Sequence, residues 1–408
     1  MIYKFRESLD FRLNCLYVSL QGLYWMIVCC TVSMGSAYLS NRGYSTVAIG
    51  ILFAISFLVA TVLQQFISVL ADNTNRFNVV DILTFLSAVL VVNEIFAISS
   101  QGKSFGTGFT FFLGVMVATI IQPFLNALNF HIEGYEIKMN FGVARASGSF
   151  FFFVMSLIVG GLMKVTSEKA APILAFIVAV LFIINIIWIY AELKDISVGN
   201  IYDPFTYEKK ESSFDKKSIS AFINRYRMFF VFLIGVVCFF FGHVLINNFL
   251  YQITVDVGGD EADLGGLLAL QAIVELPAMI FFNRLRNRFG CRFLLSLSAV
   301  FYLIKIFATT IATTVGMLYF SMLFQALAFA VFIPASVHFV DELMPKEDAI
   351  KGQAFITIAT TLSNLLSSLF GGVLIRLFGV HASLWFGTVV TLWGVIVAVF
   401  GLAKINEK

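Results

Sequence analysis

Five ionisable side chains lie inside long apolar stretches of the sequence: Glu94, Arg145, His243, Glu275 and Lys305. A charge at the centre of a hydrocarbon layer costs about 2.5–3.5 kcal/mol or more, so each residue predicts a partner or a function. Glu94 lies nearer one end of its stretch and is interpreted as a structural charge. His243 could exchange a proton near neutral pH, although a buried, hydrogen-bonded histidine is the commoner case.

Glu275 and Lys305 form a candidate pair, because they are opposite in sign and both lie far from a helix end. At 1.5 Å per residue, Glu275 is about 13 Å and Lys305 about 20 Å from the nearest arginine that marks such an end. One interpretation is a structural ion pair that cancels two charges. The other is a carboxylate that takes up and releases a proton as its surroundings change. We predict that Glu275 and Lys305 couple a proton to function.

Arg145 begins an apolar stretch in NFGVARASGS, residues 140–149. An arginine at a helix end often extends to the membrane surface. Helical spacing, however, places Arg145 and Phe152 on one face. A guanidinium group with an aromatic ring two turns away suits hydroxyls or a carboxylate on a flat solute. We therefore predict Arg145 and Phe152 as solute-binding residues.

Further polar side chains recur at helical spacing in other apolar stretches. One such stripe usually serves as a contact between packed helices. Several stripes together instead indicate a polar cavity, since a dry bundle has no use for so many amides. The predicted lining residues are Tyr17, Gln21, Tyr24, Asn126, Asn129, His243, Asn247 and Asn364.

The composition identifies the elements that must position these residues. Hydrophobic residues make up 59% of the 408 and charged residues 12%, against about 25% charged in a soluble domain. This indicates a polytopic membrane protein embedded in a lipid bilayer. Crossing a bilayer takes roughly 20 residues, and backbone amides in hydrocarbon must be satisfied internally, so the spans are predicted to be helices. They cover residues 14–40, 46–71, 79–99, 107–130, 143–164, 172–192, 228–254, 264–283, 292–312, 315–340, 354–376 and 382–404.

A polar segment over residues 193–227 predicts a linker between two six-helix halves, 1–192 and 228–408. A weak repeat, in which residues 50–75 align with 266–290, supports this division. Parallel repeats of six helices are typical of one large class of transporters.

The distribution of the 27 lysines and arginines predicts the orientation of the chain. Cytoplasmic loops carry the excess of Lys and Arg, and most of these residues fall on the side that holds both termini. We therefore predict a cell-membrane protein with both termini in the cytoplasm. This topology explains the net positive charge of the chain, so no nucleic-acid partner is expected. The loops on the other side contain only Arg42, Lys103, Lys164, Lys169 and Arg376.

The sequence carries none of the motifs we would expect of a metal site or an ATP-driven machine. The five cysteines lack ligand spacing, so neither a disulfide framework nor a metal centre is predicted. We find no phosphate-binding glycine loop and no H-E-x-x-H motif. We expect no cofactor other than a proton as coupling ion, and we do not expect an enzyme.

These residues resemble the major facilitator superfamily, in particular its lactose permease and phenylpropionate permease type. The resemblance covers nearly the whole chain. The loop after the second span is similar to the superfamily signature G-x-L-a-D-r-x-G, with Asp72 at its acidic position and Ser68 and Asn75 in place of glycines. The segments that carry the resemblance are SVLADNTNRF (68–77), NFGVARASGS (140–149), AIVELPAMIFF (272–282) and FYLIKIF (301–307).

The resemblance implies a twelve-helix, all-α fold and assigns roles to single residues. It implies gating by Asp72, solute binding by Arg145 and approximately Phe152, and proton coupling by Glu275 with Lys305 in place of the family's arginine.

Two groups of residues depart from the family pattern. The carboxylate of span four is replaced by the amides Asn126 and Asn129, and the histidine and glutamate of span ten by Gln325 and Ala328. Without that histidine and glutamate, proton coupling would depend more on Glu275. We group Gln325 with the predicted solute-binding residues.

The expected function is proton-coupled symport of a small solute by alternating access, by a chain that acts as a monomer. Family analogy favours a sugar, an oligosaccharide or a nucleoside. Arg145 and Lys305 against Glu275 leave a positive balance, which favours an aromatic or other organic carboxylate instead. An exporter is a further alternative, and a receptor or scaffold that shares the fold is an alternative of a different class.

Overall fold

The structure is a computed structural model, and every regular element in the part of the chain that it describes is helical. This confirms the predicted all-α class. Backbone is described for residues 2–73, 78–197 and 216–405, and side chains for residues 9–68, 78–194, 221–346 and 348–405.

The helices belong to two compact units. The first unit consists of Met1–Tyr44 and Ile55–Lys209. Its elements are α1 (Ile2–Val28), a π-helical segment (Cys29–Ser33), α2 (Gly35–Asn41), most of α3 (Thr46–Asn73), α4 (Val79–Ser99), α5 (Phe105–Glu133), α6 (Phe141–Val165) and α7 (Ala170–Ser197).

The second unit consists of Ser45–Ala54, which includes the first turns of α3, and Lys210–Lys408. Its other elements are α8 (Lys216–Arg225), α9 (Arg227–Asn248), α10 (Leu250–Asp256), α11 (Glu261–Ile280), α12 (Phe282–Thr310), α13 (Val315–Met322), a 3₁₀ segment (Leu323–Ala326), α14 (Phe329–Leu343) and α15 (Lys346–Lys404).

Among the described residues, 11 helical stretches are long and apolar enough to cross a bilayer. The last of them, Asp348–Lys404, has 57 residues, which at 1.5 Å per residue is more than twice the roughly 30 Å of a hydrocarbon core. It breaks at Gly379, where φ is 83°, a conformation that glycine adopts without a Cβ penalty. This stretch therefore supplies two spans, and the twelve predicted crossings are all present.

Two spans are interrupted by turns that are not α-helical. In the first span, Met34 N donates to Cys29 O at 3.0 Å, which is the i→i+5 hydrogen bond of a π-helix. In the tenth span, the 3₁₀ segment Leu323–Ala326 separates α13 from α14. The Ser298 hydroxyl donates to the carbonyl of Ala328 at 2.6 Å, just after this segment. This carbonyl also accepts from Phe332 N at 3.1 Å, so the Ser298 hydroxyl adds a second hydrogen bond beside the break.

The predicted linker, residues 193–227, contains more helix than its composition suggests. Helix α7 continues to Ser197, and α8 forms over Lys216–Arg225. The reason for α8 is packing, because Phe222 is buried and its ring stacks on that of Phe355 at 5.6 Å. Ile219, Phe222 and Ile223 recur at helical spacing within α8, a signal that the polar composition of the surrounding segment obscures.

In the second unit, α9 packs closely against the part of α15 that follows Gly379. A Cβ atom at Gly235 would lie 2.5 Å from Ala398 N, and one at Gly401 would lie 2.7 Å from Phe232 N. At Gly394 the nearest backbone atom is Phe239 N at 2.6 Å. Small residues at this interface let the two backbones approach directly.

We expect Gly394→Ala to lower the thermal unfolding midpoint of the purified protein, since overpacking costs about 1–3 kcal/mol. Gly161→Ala is the matched control, because a Cβ at Gly161 meets nothing within 4 Å. In the control, the intrinsic helix preference of alanine, about 1 kcal/mol, should leave the midpoint unchanged or raise it. Equal midpoints for the two variants would contradict the close approach at Gly394.

Candidate solute and coupling sites

In the first unit, α1 and α5 are joined by a buried chain of hydrogen bonds. Gln21 Nε2 donates to Tyr17 Oη at 2.9 Å and to Asn126 Oδ1 at 3.3 Å. The Tyr17 hydroxyl in turn donates to the carbonyl of Leu125 at 3.1 Å. Three predicted lining residues, Tyr17, Gln21 and Asn126, therefore lie together. They are joined to one another and to the backbone of α5 by these hydrogen bonds.

Tyr24 and Asn129 were predicted to share this polar face. The Tyr24 hydroxyl donates to the carbonyl of Ala118 at 3.1 Å, so it also joins α1 to α5. Asn129 Nδ2 donates to Glu133 Oε1 at 3.1 Å, one turn along the same helix. Asn129 Oδ1 is buried, and within the part of the chain that the structure describes it has no hydrogen-bond partner. Since buried polar atoms are normally paired, this oxygen is an acceptor available to water or a solute.

Arg145 contacts an aromatic residue that the sequence analysis missed. Its Cζ atom lies 4.4 Å from the ring centroid of Trp25, a cation–π contact. The Trp25 ring lies 6.4 Å from that of Phe152 in an edge-to-face arrangement. Trp25 fits here because Gly148 faces it, and a Cβ at Gly148 would lie 2.3 Å from Trp25 Cδ1. Arg145 and Phe152 thus belong to one cluster, and Trp25 lies between them.

In the second unit, the amide of Gln325 bridges Lys305 and Glu275. Lys305 Nζ donates to Gln325 Oε1 at 2.7 Å, and Gln325 Nε2 donates to Glu275 Oε1 at 2.8 Å. Lys305 is 1% exposed, whereas Glu275 is half-buried. The predicted pair therefore lies at the two ends of one hydrogen-bonded chain.

The bridge depends on one broken helix. Gln325 belongs to the 3₁₀ segment of the tenth span, whereas Glu275 lies two residues before Pro277 within the continuous helix α11. A 3₁₀ turn advances side chains by a different angle from an α turn. Helical periodicity therefore could not place the Gln325 amide between Lys305 and Glu275.

His243 lies in a buried aromatic cluster beside Asn247. Its ring stacks on Phe329 at 5.3 Å and meets the edge of Tyr302 at 5.1 Å. Asn247 Nδ2 lies 3.0 Å from His243 Nε2, which therefore accepts, and a neutral imidazole then carries its proton on Nδ1.

Three buried polar atoms of this cluster have no hydrogen-bond partner among the described residues: His243 Nδ1, Asn247 Oδ1 and the Tyr302 hydroxyl. They comprise a donor, an acceptor and a group that can act as either. The cluster can therefore bind a polar solute or water. Tyr302 could not be predicted, because one tyrosine in an apolar span is indistinguishable from a core residue.

The remaining predicted residues lie apart from these clusters. Asn364 is half-buried, and in the described part of the chain no hydrogen bond from its side chain is found. Asp72 is near the end of α3, and its side chain lies outside the described residues. Glu94 is 3% exposed and accepts a hydrogen bond from Asn93 Nδ2 at 3.1 Å.

Twelve apolar spans and polar clusters buried within them define a multi-pass membrane protein of the transporter class. Residues 17–386 match the MFS_1 like family, and the chain belongs to that family. The resemblance to the major facilitator superfamily is confirmed at this level. Membership of this major facilitator family makes the chain a membrane transporter rather than an enzyme.

Solved transporter structures share the fold. A mutant of the nucleoside transporter NupG has a TM-score of 0.76 and 14% identity, over 97% of this chain and 100% of that one. An auto-inhibited POT family peptide transporter has a TM-score of 0.71 and 10% identity, with 97% and 98% covered. A bacterial homolog of the human lysosomal transporter Spinster has a TM-score of 0.67 and 13% identity, with 98% and 95% covered. No curated protein matches this sequence.

We expect Gln325→Met to lower the thermal unfolding midpoint, because Lys305 and Glu275 each lose a partner. Leaving a buried group without its partner costs about 1–3 kcal/mol, and more when the group is charged. The double variant Lys305→Met/Gln325→Met should recover part of the loss. Gln271→Met is the control, since Gln271 is also buried but donates to the weak acceptor Met322 Sδ. A Gln325→Met midpoint no lower than that of Gln271→Met would show that the bridge adds no stability.

Proposed function

We propose that the protein is a proton-coupled symporter that moves a small solute across the cell membrane by alternating access. The observation that carries this proposal is the chain Lys305–Gln325–Glu275, which places two opposite charges inside membrane-spanning helices with an amide between them. Ionisable residues at such positions commonly mark ion and proton pathways. The excess of Lys and Arg on the side of the termini supports termini in the cytoplasm.

The amide gives proton binding a structural consequence. Lys305 holds Gln325 Oε1, and this orients Nε2 towards Glu275. A charged carboxylate is the stronger acceptor for Nε2, so protonation of Glu275 weakens that hydrogen bond. Gln325 lies in a 3₁₀ segment, a feature that often marks a hinge. Proton uptake would therefore loosen α11 from the tenth span, and proton release would restore the contact.

The solute we propose is a nucleoside, a sugar or an oligosaccharide. The aromatic faces of Trp25 and Phe152, both in the first unit, suit a flat ring. Taken by itself, the cluster of His243, Asn247 and Tyr302 in the second unit suits hydroxyl groups. The fold similarity to a nucleoside transporter and the sequence resemblance to lactose permease are consistent with this class. An organic carboxylate is the second candidate, because the Arg145 guanidinium over Trp25 combines a planar cation with an aromatic face, which suits an aromatic acid.

A thermal-shift screen of the purified protein distinguishes these classes. A ligand that binds only the folded state raises the unfolding midpoint by an amount set by its concentration and affinity. We expect shifts with nucleosides or sugars, whereas shifts confined to aromatic acids would support the carboxylate. For each ligand that binds, uptake into proteoliposomes under a proton gradient tests transport. Binding without accumulation would favour a receptor, and release from preloaded vesicles an exporter.

We expect Arg145→Lys to reduce transport by about tenfold or more at normal expression. A lysine ammonium cannot reproduce the planar, bidentate guanidinium or its stacking on Trp25. The exposed Arg376→Lys is the control and should transport normally. Normal uptake by Arg145→Lys would mean that Arg145 only anchors its helix at the membrane surface.

We expect Glu275→Gln to retain solute exchange between equal concentrations and to lose uphill accumulation driven by a proton gradient. The substitution mimics the permanently protonated residue, which can complete the solute-bound steps but cannot release a proton. Both activities are measured in proteoliposomes with radiolabelled solute, and Glu94→Gln, at a buried carboxyl group of the first unit, should accumulate solute normally. Undiminished proton-driven accumulation by Glu275→Gln would exclude Glu275 as the coupling residue.

A further inference from the structure

The second unit contains a cavity of about 710 Å³ at one end of its helices. Its walls come from the junction of α8 and α9, the break of α12 at Gly290, the end of α14 and the end of α15. Its lining includes Arg227, Phe289, Arg292, Glu342, Leu343 and Lys404.

The cavity is strongly basic. Among the described residues, Arg225, Arg227, Arg292 and Lys404 line it, with Glu342 as the acidic one. Arg225 pairs with Asp348 at 3.3 Å, so part of its charge is neutralised. Arg227 and Lys404 are exposed. The site therefore has an excess of positive charge, and an anion is the ligand that it suits.

The wall beneath these cations is apolar. Phe289 is 45% exposed and Leu343 is half-buried, and both line the cavity. Arg227 is the first residue of a candidate membrane span and Lys404 the last residue of another. The cavity thus lies at the ends of two candidate spans, where cations can reach lipid headgroups and apolar side chains can contact the acyl chains beside them.

A basic topology alone does not produce this arrangement. Lysine and arginine are common at cytoplasmic helix ends, but there they usually extend into solvent. Here Arg292 turns inwards and donates from Nη1 to the carbonyl of Ile405 at 2.7 Å. This hydrogen bond ties the start of the second half of α12 to the end of α15 and closes one side of the cavity.

We infer that this cavity binds the phosphate group of an anionic glycerophospholipid. Arg227, Arg292 and Lys404 hold the phosphate oxygens, and Phe289 and Leu343 contact the carbons next to the glycerol. Basic pockets between helices at this membrane level are known to bind lipid headgroups. A free phosphate ion shares the same chemistry, but it would make no use of the apolar wall. The inference is independent of which solute is transported.

Native mass spectrometry of the full-length protein in detergent, with phosphatidylglycerol or phosphatidylcholine added, tests this site. Phosphatidylglycerol should bind on the order of tenfold more tightly, and Arg227→Gln/Lys404→Gln should abolish the difference, since each cation near the surface favours an anionic lipid. Both side chains are exposed, so this variant should fold, and its unfolding midpoint checks that it does. Arg292 is left intact because it also binds the backbone.

The control is Lys103→Gln/Arg376→Gln, which removes two exposed cations elsewhere and should keep the lipid preference. Inorganic phosphate is the second arm, measured by its effect on the unfolding midpoint. A second outcome is that the wild-type unfolding midpoint responds to phosphate, the Arg227→Gln/Lys404→Gln variant loses that response, and wild type shows no preference between the two lipids. That result would show that the cavity binds phosphate from a soluble source and not from a lipid. Equal binding of both lipids to wild type and variant, with no phosphate effect, would overturn the proposal.

Discussion

Hydrocarbon offers no hydrogen-bond partner, so every polar atom within a membrane span must find its partner inside the protein. This constraint makes all the described spans helical. It also explains where they can bend, because a break is tolerated only where another group satisfies the backbone. The Ser298 hydroxyl adds a hydrogen bond to the Ala328 carbonyl, which also accepts from Phe332 N, and Tyr17 and Tyr24 tie α1 to backbone carbonyls of α5 in the same way. Buried side-chain hydroxyls thus hold the helices together.

The same constraint acts more strongly on charge. Removing one member of a buried ion pair is costly because the other charge is then left alone. In the second unit the charges of Lys305 and Glu275 meet through the neutral amide of Gln325. An amide has a donor end and an acceptor end, so its orientation is fixed by which neighbour is the cation. The charge state of Glu275 and the geometry of the tenth span are therefore linked through one side chain.

Much of the architecture could be predicted from the sequence, because span length and polarity follow directly from bilayer thickness. The positions of Glu275 and Lys305 in neighbouring spans were also visible, since a charge in an apolar run is conspicuous. Gln325, Trp25 and Tyr302 could not be placed. Gln325 depends on a 3₁₀ segment with no sequence signal, and Trp25 and Tyr302 have the composition of core residues. What identifies them is contact with residues distant in sequence, which periodicity within one helix cannot reveal.

The π-helical segment Cys29–Ser33 has a consequence for how this chain could vary in length. A π turn holds one residue more than an α turn, so the segments before and after it keep separate rotational phases. Deleting one residue there would give an ordinary α turn and leave both faces of the helix in place. The same deletion elsewhere in a span would rotate all following side chains by about 100° and carry buried residues towards lipid. The first span therefore contains a site where a single-residue gap relative to homologous chains would be structurally silent.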